Sequence, residues 1–262
     1  MKKLIPFLFL LVIVSCTNEE FNPAQTREFS IQSVSNGATY PIQVALPENY
    51  DSTKKYTTLY VLDGETDFDY VANQCKLISA QYGASNMLVV GIGYGNDRAL
   101  DYTPTVSMSN GGGAEPFMQF IRNELIPRME SEFGADTMRQ NRIILCHSYG
   151  GLFATYAFTK HNDVFGNYFI LSPSIWYDNE VMLMMEEQYR DVNADQHQFV
   201  FMGLGELENS GRMLAPYMAL YQIFQAHYTD MQIMSHLEPH VDHLGSKYPN
   251  ITEALKFYFQ NH

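Results

Sequence analysis

The chain has 262 residues, 46% hydrophobic and 17% charged, with a formal net charge of −13. This length suits one domain with a large core. An acidic balance of this size disfavours nucleic acid and anionic lipid surfaces as partners, and three cysteines are too few for a disulfide framework.

In chain order, Met1-Lys2-Lys3 and the apolar stretch Leu4 to Val14 have the charged and hydrophobic regions of a secretory leader. The stretch is too short to cross a bilayer as a mature helix. It ends in Ile13-Val14-Ser15-Cys16, which resembles the bacterial lipoprotein signal, cut before a cysteine that becomes the lipid-bearing N-terminus. The expected organisation is therefore a leader over 1–15, a tether over 16–28 lipidated at Cys16, and one folded domain over 29–262. Cleavage removes Lys2 and Lys3, two positive charges, and moves −13 to −15. Membrane attachment then comes from acyl chains alone, and the expected location is the bacterial outer membrane, periplasmic or surface-facing. The acidic pair Glu19-Glu20 resembles the surface-export signal of some lipoproteins. With Cys16 lipidated, Cys75 and Cys146 remain, and no disulfide is expected between them.

Beyond the tether, Phe29 to Ser35 and Thr39 to Leu46 flank Asn36-Gly37, a strong hairpin signal. Tyr56 to Leu62 reads as a strand, Phe68 to Tyr82 as a helix, and Met87 to Ile92 as a fully apolar strand. Residues Asp97 to Gly113 read as a long polar loop with Pro104 and three consecutive glycines. Glu115 to Phe133 is an amphipathic helix expected to bend at Pro127. Then follow a strand ending at Leu145, a helix to about Lys160, and a strand at Tyr168 to Leu171. A helix near Asp178 to Tyr189, a strand at Phe199 to Leu204 and a helix at Met213 to Tyr228 come next. A strand at Met231 to Leu237 and a helix from about Ile251 to Phe259 close the chain. Apolar strands alternating with helices imply an α/β fold whose mostly parallel central sheet has helices on both faces and an antiparallel N-terminal hairpin. In such sheets the working residues lie beyond the carboxyl ends of the strands.

Ser148 sits at one of those ends, in Cys146-His147-Ser148-Tyr149-Gly150-Gly151, directly after Arg142-Ile143-Ile144-Leu145. A strand that turns sharply into a helix lifts the serine hydroxyl out of the sheet. It also leaves the next residue's N–H free for an oxyanion. The usual G-x-S-x-G pattern has Cys146 in place of its first glycine. Acids at later strand ends are few, the clearest being Glu206 and Glu208 in Gly203-Leu204-Gly205-Glu206-Leu207-Glu208. Histidines follow in Pro239-His240-Val241-Asp242-His243, so the order serine, acid, histidine is that of a hydrolase triad. Either glutamate and either histidine fits this order. The series His236, His240, His243 invites a metal reading, but Pro239 interrupts it, and neither a metal nor an organic cofactor is expected.

Nearly the whole mature chain resembles the esterase D and enterochelin esterase-like branch of the α/β-hydrolase superfamily, whose members include formylglutathione hydrolases and feruloyl and acetyl-xylan esterases. The resemblance rests on Leu59-Tyr60-Val61-Leu62-Asp63-Gly64, Asp101-Tyr102-Thr103-Pro104-Thr105, Glu124-Leu125-Ile126-Pro127 and His147 to Leu152. It continues through Leu171-Ser172-Pro173-Ser174-Ile175-Trp176 and Gly205 to Glu208. It implies an α/β-hydrolase fold with Ser148 as nucleophile. It favours Glu208 as the acid over Glu206, because the family's acid stands three residues after the strand-end glycine. It favours His243 over His240 by distance from the last helix. The oxyanion donors it implies are the backbone N–H groups of Tyr149 and Glu65.

The resemblance implies a small-molecule ester as substrate. Arg98 is a candidate for an anionic or catechol-bearing acyl group, or else a brace paired with Asp97 or Asp101. Trp176, with Tyr149 and Tyr177, is a candidate wall of an aromatic pocket. Met182, Met184 and Met185 read as helix-packing residues. The leading expectation is a serine carboxylic-ester hydrolase at the cell envelope, in the manner of siderophore-trilactone esterases. The alternatives are a carbohydrate acetyl or feruloyl esterase, or a non-catalytic surface lipoprotein that binds a siderophore or glycan.

Overall fold

The apolar runs lie side by side in one eight-stranded sheet. A computed structural model describes residues 25–84, 87–107, 110–209 and 212–262; the leader, Cys16 and most of the tether lie outside them. The strands are β1 (Thr26–Gln32), β2 (Thr39–Ala45), β3 (Thr57–Val61), β4 (Met87–Ile92), β5 (Arg142–His147), β6 (Asn167–Leu171), β7 (Gln198–Gly205) and β8 (Met231–Glu238). Their order across the sheet is β1-β2-β4-β3-β5-β6-β7-β8. From β4 to β8 every pairing is parallel, while β1–β2 and β2–β4 are antiparallel.

The central strands β3 to β7 are buried at nearly every position because both faces are covered, and most of their residues are apolar. Successive side chains point to opposite faces, and two cores result. Leu59, Ile143, Leu145, Phe169 and Phe201 pack with α1 (Gly64–Gln81) and α8 (Lys247–Asn261). Tyr60, Ile144, Cys146, Tyr168 and Val200 pack on the other face. That face is covered by α3 (Ala114–Phe120), α5 (Tyr149–Lys160), α6 (Tyr177–Asn193) and α7 (Leu214–His227). Each buried aromatic or aliphatic side chain contributes about 1.5–3 kcal/mol of transfer free energy. Cys75 and Cys146 are free and buried in different cores, on opposite faces of the sheet.

Four local departures from the sequence expectations have physical causes. The hairpin leaves the ladder early: β1 ends at Gln32, and the Glu124 carboxylate draws the turn away by accepting from the Val34 and Ser35 amides and from the Ser33 and Ser35 hydroxyls. Within the expected loop, Arg98–Tyr102 forms a short helix, α2, because the Asp97 side chain caps the Ala99 amide. The long helix meets Pro127 with a widened turn at Ile121–Leu125 before α4 (Ile126–Glu132), so that the Ile126 N–H reaches back five residues to Ile121. Proline lacks the N–H that the narrower ladder needs, and the π-type turn absorbs the gap. Finally, α8 starts at Lys247 with Pro249 in its first turn, where a missing N–H costs nothing.

Helix α6 opens with Asp178, Asn179 and Glu180 all at positive φ, between 46° and 62°. Left-handed residues of this kind cost about 1–2 kcal/mol each. The turn is held from outside: the Thr105 hydroxyl donates to Asp178 at 2.6 Å, and the Tyr177 hydroxyl donates to the Thr105 carbonyl at 2.9 Å.

Candidate active site

The carboxyl ends of β5, β7 and β8 converge on Ser148. The residue has φ 64° and ψ −119°, a conformation that costs a non-glycine residue about 1–3 kcal/mol. Hydrogen bonds to the next strand hold it there. Its N–H donates to the Leu171 carbonyl at 2.9 Å, and its carbonyl accepts from Ser174 N–H at 3.1 Å and Leu152 N–H at 3.0 Å. The Ser172-Pro173-Ser174 turn therefore buttresses the elbow. The glycines after the serine meet a steric demand. A Cβ on Gly151 would stand 2.9 Å from both the Leu171 oxygen and Pro173 Cα, and one on Gly150 would stand 3.3 Å from Cys146 Cβ. Cysteine stands where the usual pattern has glycine, its small side chain buried in the core against Gly150.

A hydrogen-bond relay leaves the serine. Ser148 Oγ lies 3.0 Å from His243 Nε2, and His243 Nδ1 lies 2.7 Å from Glu208 Oε2. Glu208 follows β7 in a short turn, and its other oxygen accepts from Ser172 Oγ at 2.7 Å, Gly205 N–H at 2.8 Å and Ser246 Oγ at 3.1 Å. Burial pushes the Glu208 pKa up. The bonds from His243, Ser172 and the Gly205 amide outweigh it and hold the carboxyl below its ordinary value. An ionised acid against Nδ1 sets the histidine tautomer, leaving Nε2 to accept the serine proton.

His147, one residue before the serine, faces His243 with ring centroids 4.7 Å apart, and its Nε2 lies 2.9 Å from the His243 carbonyl oxygen. Burial, aided by repulsion from His243, pushes its pKa down to about 3, so it is neutral and donates to that carbonyl. The loop carrying His243 is thereby tied to the elbow.

The competing candidates stand elsewhere. His240 pairs with Glu206 at 3.2 Å on the surface, its side chain 90% exposed, and takes no part in the relay. His236 pairs with Glu238 on β8, so the three histidines face three different partners.

Tyr149 is the first residue of α5, so helical geometry leaves its amide without an intrahelical acceptor. At the start of α1, Thr66 N–H and Asp67 N–H are both spent on the Asp63 carbonyl, which leaves the Gly64 and Glu65 amides open. The Glu65 carboxylate turns away and accepts from the Tyr94 N–H at 3.1 Å. Arg98 is paired with neither Asp97 nor Asp101. Its guanidinium grips Asp63 through two bonds of 2.7 and 2.9 Å and donates a third to the His147 carbonyl at 2.9 Å. It is a clamp between the loop after β3 and the elbow, and those donors are not free for an acyl group.

Trp176 does line the site. Together with Ser148, Tyr149, Met213 and His243 it bounds an open cleft of about 490 Å³. Arg212 lines the same cleft, with its guanidinium 3.6 Å above the Trp176 ring centroid. Sequence reasoning missed Arg212 because it belongs to no motif; its position shortly after the acid and just before α7 was the only cue. The supporting serines Ser172 and Ser246 were equally silent, since the strands that bring them to Glu208 are distant in sequence. Met182 is buried in the core and Met184 is exposed.

Comparison with known proteins places the fold among esterases. The family model described as "Putative esterase" matches residues 33–220. A ferri-bacillibactin esterase of Bacillus subtilis is 26% identical over 215 residues, covering 73% of this chain and 74% of that protein. A siderophore triacetylfusarinine C esterase of Aspergillus fumigatus is 26% identical over 190 residues, covering 66% of this chain and 65% of that protein. The crystal structure of the BES protein from Bacillus cereus superposes with a TM-score of 0.79 at 25% identity, over 98% of each chain.

Proposed function

We propose, from the premise that the chain belongs to this esterase family of the α/β-hydrolases and is a serine esterase, that Ser148, His243 and Glu208 are its catalytic triad and that its substrate is the ester framework of a siderophore. The observation that carries the assignment of residues is the unbroken relay from Ser148 Oγ to the buried Glu208 carboxylate. The siderophore class is supported by the relatives named above.

In this mechanism Ser148 Oγ attacks the ester carbonyl carbon as His243 Nε2 takes its proton. The carbonyl electrons move onto oxygen, and the amides of Tyr149 and Glu65 receive the oxyanion, each donor contributing about 3–4 kcal/mol to the barrier reduction. Collapse of the tetrahedral intermediate breaks the C–O bond, and the leaving alkoxide takes the proton from His243. Water then attacks the acyl-serine, His243 accepts its proton, and the second collapse returns that proton to Ser148 and frees the acid. Glu208 remains a carboxylate throughout, holding the Nδ1–H.

The protein works at the bacterial cell envelope in this proposal, exported by the 1–15 leader and anchored through a lipid on Cys16. The sequence pattern ending at Cys16 supports this part alone.

The test is hydrolysis by the purified full chain of p-nitrophenyl butyrate, ferric trilactone siderophores and acetyl-xylan, beside Ser148→Ala. Serine-dependent turnover of the siderophore supports the proposal. Turnover confined to the polysaccharide would make the chain a carbohydrate esterase. Equal rates in Ser148→Ala would remove the triad assignment.

A further inference from the structure

Three cations border the reacting serine, and two are already neutralised. Arg98 is held by Asp63, and the Lys247 ammonium lies 2.6 Å from Asp67. The third, Arg212, is exposed and sits over the Trp176 ring, its guanidinium carbon 3.6 Å from the ring centroid. Among the described residues no carboxylate stands within ion-pair distance of it. Asp242 borders the same cleft, but its Oδ1 accepts the Gly245 N–H at 2.9 Å. Stacking occupies one face of the guanidinium and leaves its edge, with its fork of N–H donors, available at the border of the cleft. A fork of this shape matches a carboxylate through two parallel bonds. The chain as a whole carries a net charge of −13, so an anionic substrate is repelled at long range and needs a local cation to settle.

Resting on the esterase reading of Ser148, we propose that the Arg212–Trp176 pair is a specificity site for esters that carry a planar carboxylate beside the scissile bond. The tryptophan holds the guanidinium in one orientation and offers its own edge to an aromatic or alkyl spacer. Arg212 thereby selects anionic esters over neutral ones of the same shape. The carboxylate can belong to the acyl part or to the alcohol part of the ester.

Trp176 is the only tryptophan in the chain, so its fluorescence reports on this pair alone. Benzoate and benzamide are titrated into the full chain and into Arg212→Gln while tryptophan emission is followed. Benzoate is expected to bind about tenfold more tightly than benzamide, and the difference to vanish in the variant. Hydrolysis then locates the anion. One pair compares 4-acetoxybenzoate with its methyl ester, and the other compares mono-4-nitrophenyl terephthalate with its methyl ester. Preference for the acid by about tenfold in kcat/KM, expressed in KM, is expected in one pair and identifies the side; Arg212→Gln brings the ratio to about one. Equal binding of benzoate and benzamide, with ratios near one while neutral esters are still cleaved in a Ser148-dependent manner, overturns the anion site alone. Absence of Ser148-dependent cleavage of every ester overturns the esterase reading itself.

Discussion

Arg98→Met tests the clamp between the loop after β3 and the Ser148 elbow. The Asp63 side chain is 7% exposed and receives two of its hydrogen bonds from Arg98, whose third bond goes to the His147 carbonyl. Removing the guanidinium leaves a buried carboxylate without its counter-ion, a change that costs about 3–5 kcal/mol where desolvation is this complete. Both ends of the clamp carry a proposed oxyanion donor: Glu65 follows Asp63, and Tyr149 follows the elbow. Release of either end by a fraction of an ångström should lower kcat about 100-fold, with a smaller change in KM. Urea unfolding followed by circular dichroism measures the stability, and p-nitrophenyl butyrate hydrolysis measures kcat. The double variant Arg98→Met with Asp63→Asn should be more stable than the sum of the single losses allows, with a coupling of about 2 kcal/mol, because each change relieves part of the other's cost. A loss below about 1 kcal/mol in Arg98→Met together with an unchanged kcat would refute the clamp.

Three further outcomes are expected. Glu208→Gln should lower kcat about 10⁴-fold by losing the tautomer-setting carboxylate, whereas Glu206→Gln and His240→Gln should each stay within about twofold, since theirs is an exposed surface pair; kinetics on one ester separate the cases. Acid should destabilise the fold through His147. Its pKa falls from 6.5 to about 3 on folding, so between those values the unfolded chain binds the extra proton and stability drops by up to ~1.4 kcal/mol per pH unit as pH falls. Glu208, also depressed, adds to the same trend below its ordinary range, and His147→Gln should flatten the slope between pH 6 and 4 in urea titrations. Gly151→Ala should cost about 1–3 kcal/mol or more in thermal unfolding, because its new methyl meets the Leu171 oxygen and Pro173 Cα at 2.9 Å, both backbone atoms that cannot give way cheaply.

Much of this molecule was legible in the sequence because the signals were local. The runs Met87–Ile92 and 143–146 announce buried parallel strands by being apolar throughout, since both sheet faces are covered. Ser148 could be found because its conformation demands a short strand, a sharp turn and two small residues in consecutive positions. Order along the chain, together with family resemblance, singled out Glu208 and His243 from their neighbours. The resemblance also pointed to the amides of Tyr149 and Glu65, positions whose place at the first turns of α5 and α1 is fixed by strand-to-helix turns.

What the sequence could not decide depends on which strand ends meet. The sequence left Arg98 between Asp97, Asp101 and a ligand. Only the parallel pairing of β3 with β5 brings Asp63 and the His147 carbonyl within its reach. Ser172 and Ser246 gain their purpose because β6 and β7 are neighbours and the loop after β8 folds over both, so that three donors converge on one carboxylate oxygen. The separation of Glu206 with His240 from Glu208 with His243 is likewise three-dimensional: a short turn after Gly205 points one glutamate outward and buries the other. Arg212 is the extreme case. An arginine in a loop has no periodicity to betray it, and only the packing that sets it over Trp176, beside a serine more than sixty residues away, gives its charge a role. Local chemistry could be read from the order of residues, whereas partnership between distant residues was decided by the sheet.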